Sequence, residues 1–243
     1  MSIRAGLSPD SPESLTLTEF GTWMLAALGP HGFHLGNTLA LVGVCRDEMM
    51  FATEAVINEV WGPAFDISSL GAMVFLGSSG MAAAAHHAPG LDGRRRYVLI
   101  VLPHIGCGDD GTLGEVRRDG HTHTTPACGA LVVLHRELVA GVRKEGLERH
   151  DLEMSMLRSA MLPHIPVGEA PDLVALTDLA RRVSTEEMVW LSQGLVHDAD
   201  ADVAVISGAV VHHHDHDRVV VAEAWVTLRA DTTRLQLPRG SFG

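Results

Sequence analysis

The 243-residue chain holds only three cysteines, Cys45, Cys107 and Cys128, and has neither a basic excess nor a membrane-length apolar run. Each shortage excludes something. Three thiols cannot build a four-cysteine zinc staple or an even disulfide framework, and no two of them form a tight C-x2-C knuckle. No secretory-type hydrophobic stretch is evident, so the thiols are expected to stay reduced in a cytoplasmic setting. With 30 acidic against 18 basic residues and a formal net charge of −12, the chain has no electrostatic footprint for nucleic acid. No segment approaches the roughly 18 to 20 uninterrupted apolar residues of a membrane span. No internal repeat is evident, and Gly77-Ser78-Ser79-Gly80 misses the G-x-S-x-G pattern of a serine hydrolase because its second glycine comes one residue early.

What the chain does have is apolar material: 46% hydrophobic residues, enough for a substantial core. Residues 1–14, polar and rich in Ser and Pro, are expected to be a flexible N-terminus, and residues 15–243 a single α/β zinc-binding domain. Leu15 to Leu28 has helical spacing, with Thr16 or Thr18 as cap and Gly29-Pro30 as stop. Thr38 to Val44 and Tyr97 to Leu102 are near-continuous apolar runs that predict buried strands. Helices are expected over Asp47 to Trp61, Met81 to His87 and Cys128 to Val142, with two or three more across His150 to Leu162 and Asp172 to Leu195. Cys107 to Gly120 reads as loop or hairpin. Val203 to Val211 and Val219 to Leu228 are β-branched runs around a polar turn, His212 to Asp217. Buried strands alternating with helices predict a mainly parallel central sheet flanked by helices, with ligands beyond the carboxyl ends of the strands.

Cys45 and His104 both follow predicted strands, and Cys128 opens a predicted helix. Dozens of residues separate these three, so only a folded scaffold can bring them together. A Cys, His, Cys set with an open fourth position is the pattern of catalytic rather than structural zinc.

The segments Val44-Cys45-Arg46-Asp47-Glu48, Ala85-His86-His87-Ala88-Pro89, Leu102-Pro103-His104-Ile105-Gly106 and Ala127-Cys128-Gly129-Ala130-Leu131, in this order, resemble the limiting-CO2-inducible protein B/C family. That family is also described as theta-class carbonic anhydrase. The resemblance implies a β-carbonic-anhydrase-like fold and a homodimer. It also implies Zn2+ on Cys45, His104 and Cys128, and interconversion of CO2 and bicarbonate through a zinc-bound hydroxide. By the same resemblance Asp47 accepts the hydroxide's hydrogen bond and Arg46 partners Asp47, with Arg117 or Arg118 as the other candidates. Two thiolates and one imidazole neutralise Zn2+ formally, so added groups are needed to favour hydroxide.

Several readings stay open at this level. Cys107 makes a His-x-x-Cys pair with His104 and competes with Cys128 as ligand. His86 and His87 either orient bicarbonate or relay protons, or simply pack. His121 and His123 read as solvated loop histidines. The His212 to Asp217 run reads as a strand turn with exposed histidines, more suited to adventitious than to functional metal binding. The same scaffold would also suit a zinc hydrolase of CS2 or COS, or a non-catalytic zinc protein that binds bicarbonate or a partner.

Overall fold

The runs predicted as strands are apolar at every position, so they are stable only where both faces are covered. In the computed structural model they occupy that environment. It describes residues 3–8, 11–90, 93–196, 201–228 and 234–237. The strands are β1 (Leu15–Thr16), β2 (Thr38–Val44), β3 (Phe65–Asp66), β4 (Arg95–Leu102), β5 (His104–Gly106), β6 (Glu115–Arg117), β7 (Thr124–Pro126), β8 (Ala201–His212), β9 (Asp217–Thr227) and β10 (Leu235–Gln236). The helices are α1 (Leu17–Leu28), α2 (Phe51–Trp61), α3 (Gly77–His87), α4 (Gly129–Val139), α5 (Leu152–Met161) and α6 (Leu173–Val196).

The main sheet runs β1-β9-β8-β4-β2-β3, with β10 on β9 and β5 on β8. β2, β3, β4, β5 and β8 are parallel, and β9 returns antiparallel along β8. Side chains alternate along a strand. Val42, Val44, Ile100 and Leu102 therefore face α1 and α2 with Met24, Ile57 and Trp61, in a cluster that α4 and α5 extend. Leu41, Leu99, Val101 and Val205 face the other way, onto Met81 of α3 and Met188 and Leu191 of α6. β6 and β7 form a separate hairpin.

The helix boundaries follow local chemistry. Thr16 caps α1 with its hydroxyl accepting from the Glu19 amide at 3.2 Å, while the Glu19 carboxylate reaches back to the Thr16 amide at 2.7 Å. α3 begins at Gly77, earlier than the apolar periodicity predicts, because Gly77 to Gly80 supply its first turn. Residues 3–8 and 11–14 lie against the sheet rather than standing away as a tail. Ile3 is 1% exposed, and Arg218 of β9 donates to Ser14 Oγ at 3.0 Å and to the Ser14 carbonyl at 2.8 Å. The reason is the apolar Ile3, which packs with Val211 and Val220. Among the described residues no helix is long and apolar enough to cross a membrane.

Candidate metal centre

β2 and β4 run side by side with Val44 opposite Leu102, so the residues that follow them arrive at the same end of the sheet. Cys45 comes directly after β2, and His104 begins β5 one residue beyond β4. Cys128 reaches them from the hairpin side. The Gly106 amide donates to the Ala127 carbonyl at 2.7 Å, which pins the start of α4 beside β5. The three ligand atoms lie within 4.8 Å of one another, all buried. Cys107 is outside this cluster: its thiol points to the Gly108 carbonyl, and burial with Asp110 nearby pushes its pKa up.

Cys45 Sγ and Cys128 Sγ are 3.4 Å apart, within hydrogen-bond distance for sulfur. Cys45 carries the negative charge, its pKa drawn down to about 4 chiefly by the hydrogen bond from Cys128, with His104 and the Asp47 amide adding to this against the cost of burial. Cys128 retains the proton and is pushed well above the ordinary thiol value by that same bond and by burial, despite the Ala130 and Leu131 amides at the start of α4. The Gly71 amide also donates to Cys45 Sγ at 3.4 Å. Gly71 has φ +65°, and a Cβ there would come within 2.7 Å of Leu157 Cδ1, so only glycine brings this amide so close. Neither ring nitrogen of His104 has a hydrogen-bond partner among the described residues. Two sulfurs and one imidazole nitrogen, all buried and converging, fit Zn2+ in charge, softness and number.

Asp47 caps the short turn Glu48–Met50 by accepting from the Met49 amide at 3.2 Å. Its Oδ2 lies 3.8 Å from His104 Nε2. The arginine on it is Arg118, whose Nη2 donates to both carboxylate oxygens at 3.1 and 3.2 Å, while its Nε donates to Glu48 at 2.6 Å. Arg118 Nη1 also donates to the Pro126 carbonyl at 3.0 Å and to Thr125 Oγ1. The β6–β7 hairpin thus positions the arginine and leads into Cys128 at once. Arg46, expected as the partner, instead reaches Glu153 of α5 at 3.1 Å and is 60% exposed. The two side chains leave the bend after β2 toward different partners, Arg46 to α5 and Asp47 to Arg118 beside His104.

His86 and His87 do not join the cluster within the chain. Both are exposed at the end of α3. The neighbouring Ala85 carbonyl accepts from Tyr97 Oη at 3.3 Å, which sets this end of α3 near the start of β4. The cluster lies at the other end of that strand, about 20 Å away at ordinary strand rise. His87 meets Phe65 edge-on. His121 and His123 are exposed in the hairpin turn and contact each other.

The His212 to Asp217 turn differs from expectation. His212 is fully buried and His213 is 7% exposed. The His212 ring centroid is 5.0 Å from that of His104, and Nδ1 lies 2.7 Å from Asp217 Oδ1. Burial holds the His212 pKa below its ordinary value, against the pull of Asp217. The β8 register produces this burial, and the one available signal was that the apolar alternation of β8 runs directly into His212.

A family model described as limiting CO2-inducible proteins B/C, beta carbonic anhydrases, matches residues 14–228. The chain belongs to that family. Among solved structures it is similar to PtLCIB4, a homolog of the limiting CO2-inducible protein LCIB, at 25% identity and a TM-score of 0.79, covering 93% of this chain and 95% of that one. It is similar in fold to LCIB itself at 24% identity and a TM-score of 0.75, covering 97% and 99%. No curated protein matches. As a limiting CO2-inducible B/C family member, the chain has the carbonic-anhydrase-like α/β fold and carries a Cys-His-Cys cluster suited to a metal.

Proposed function

We propose that this family member is a zinc-dependent carbonic anhydrase, a lyase interconverting CO2 and bicarbonate, with Cys45, His104 and Cys128 holding the ion. The supporting observation is the buried convergence of those three ligand atoms within 4.8 Å beside an aspartate already held by an arginine. When bound, zinc supplies Lewis acidity that makes water a nucleophile near neutral pH. Asp47 Oδ2, 3.8 Å from His104 Nε2, is placed to accept a hydrogen bond from the attacking oxygen and so direct a lone pair at CO2. Arg118 Nη2, donating to both of its oxygens, holds that carboxylate aimed. Its grip also opposes the competing outcome, in which a free Asp47 swings in as a fourth protein ligand and closes the metal to substrate. This favours turnover over a non-catalytic zinc protein. Hydrolysis of CS2 or COS would use the same groups, and substrate competition separates it from CO2 hydration. Homodimer formation and a cytoplasmic location accompany this reading as proposals.

The test is stopped-flow CO2 hydration on protein whose zinc content is measured in the same sample. Asp47→Asn should retain about one zinc per chain and lose about 100-fold in kcat/KM. Unchanged activity in this variant would remove the role assigned to Asp47.

A further inference from the structure

Two buried rings with unpartnered nitrogens adjoin at the carboxyl end of the sheet. Parallel pairing sets His104 opposite Val210 and Gly106 opposite His212. Val210 and His212 are two apart on one strand, so they share a face, and His104 projects to that face with them. The His104 and His212 rings meet edge to face at 82° with centroids 5.0 Å apart, in contact but without a hydrogen bond between them. Asp217, opposite His212 at the start of β9, accepts from His212 Nδ1 at 2.7 Å. That bond fixes the hydrogen on Nδ1 and leaves His212 Nε2 as a lone-pair acceptor, buried and with no partner among the described residues. Both His104 nitrogens are likewise without one. Buried polar groups are rarely left so, and each orphan asks what it pairs with in the working protein.

A histidine that gives one ring nitrogen to a metal carries its hydrogen on the other, and that hydrogen needs an acceptor. No group among the described residues accepts it from His104 as the rings stand, and the His212 ring, in contact with it, carries an equally unpartnered nitrogen. We infer that His212 and Asp217 are positioning residues for His104. In the metal-loaded protein His212 Nε2 accepts the hydrogen of the non-ligating His104 nitrogen, and Asp217 holds His212 in the accepting tautomer. The three side chains then form one hydrogen-bonded chain behind the metal, which fixes the orientation of His104 and raises its strength as a ligand. Of the three remaining histidines of the turn, His213 stacks on His216 at 4.9 Å away from His104, with its own Nε2 buried and unpartnered among the described residues, while His214 Nδ1 lies 3.1 Å from the Arg117 carbonyl and His216 Nδ1 2.6 Å from Asp215.

This inference rests on the metal-centre reading but not on CO2 turnover, and its test is zinc affinity. The full chain and its variants are titrated with zinc against a chromogenic chelator, and thermal melts of the metal-free proteins report folding. His212→Leu should bind zinc about 10- to 100-fold more weakly. His212→Gln, whose amide oxygen can accept the same hydrogen, should recover most of that loss, which a merely space-filling role would not predict. Asp217→Ala removes a side chain that is 18% exposed and should fold even if His212→Leu does not; a severalfold weakening is expected. A folded His212→Leu protein, or failing that Asp217→Ala, with parental zinc affinity would overturn the inference, as would a Gln variant no tighter than the Leu variant. A parent that binds zinc without hydrating CO2 would overturn the proposed activity alone; a parent that binds no zinc would remove both.

Discussion

The two ends of the same parallel strands each bury polar groups, and they do so in opposite ways. At the amino end, Asp202 is fully buried on β8 with Arg94 at 3.5 Å and Arg96 at 3.7 Å, so an anion sits between cations supplied by the chain. At the carboxyl end, Cys45, Cys128 and His104 converge as electron-pair donors with no cation among the ligating atoms. In one cluster the buried charge meets opposite charge from the chain's own side chains; in the other the donor atoms converge with no such partner among them, an arrangement suited to a metal ion. Charge balance therefore distinguishes a structural ion pair from a binding site where burial alone does not.

The sharpest way to break this contrast is to remove a thiol. Cys45→Ser and Cys128→Ser should each weaken zinc binding by about 1000-fold or more, since each deletes a ligand rather than its support, whereas Cys107→Ser should stay within about twofold. Zinc retained by either of the first two variants would mean that the cluster is not the metal centre. The amino end should respond in the other currency. Asp202→Ala leaves buried guanidinium charge without its anion and should cost about 3 kcal/mol in urea unfolding, with zinc affinity unchanged. A loss of zinc there would mean that the two ends are not independent.

The two arginines sharpen the comparison within the carboxyl end. Arg118→Ala should lower kcat/KM for CO2 hydration by about 30- to 100-fold, because Asp47 loses the group that aims it. Arg46→Ala removes an exposed ion pair with Glu153 and should change kcat/KM by less than about twofold. The reverse ranking would return the role to Arg46. The smallest effect expected is a proton count. In the metal-free protein Cys45 is already a thiolate above about pH 4, while Cys128, raised well above the usual thiol range, is protonated through neutrality. Zinc binding at pH 7.5 should therefore release about one thiol proton rather than two, rising toward two as pH falls through 4. Calorimetry in buffers of different ionisation enthalpy reads this directly.

The strands Thr38–Val44 and Arg95–Leu102 were legible because a doubly covered parallel strand must be apolar throughout, and their ends then located Cys45 and His104. Cys128 was legible from its place at the start of an apolar helix. Apolar patterning along the chain is thus enough to set the element order and the sheet class, whereas the set Cys45, His104 and Cys128, with Cys107 open as a competitor, came from the family resemblance. Register and long-range return paths are not written in any one segment. They decide that Arg118, arriving on a hairpin, and not the adjacent Arg46, holds Asp47. They also carry the β8 alternation one residue past its apolar run, so that His212 is buried against His104 while His214 and His216 in the same turn are directed elsewhere.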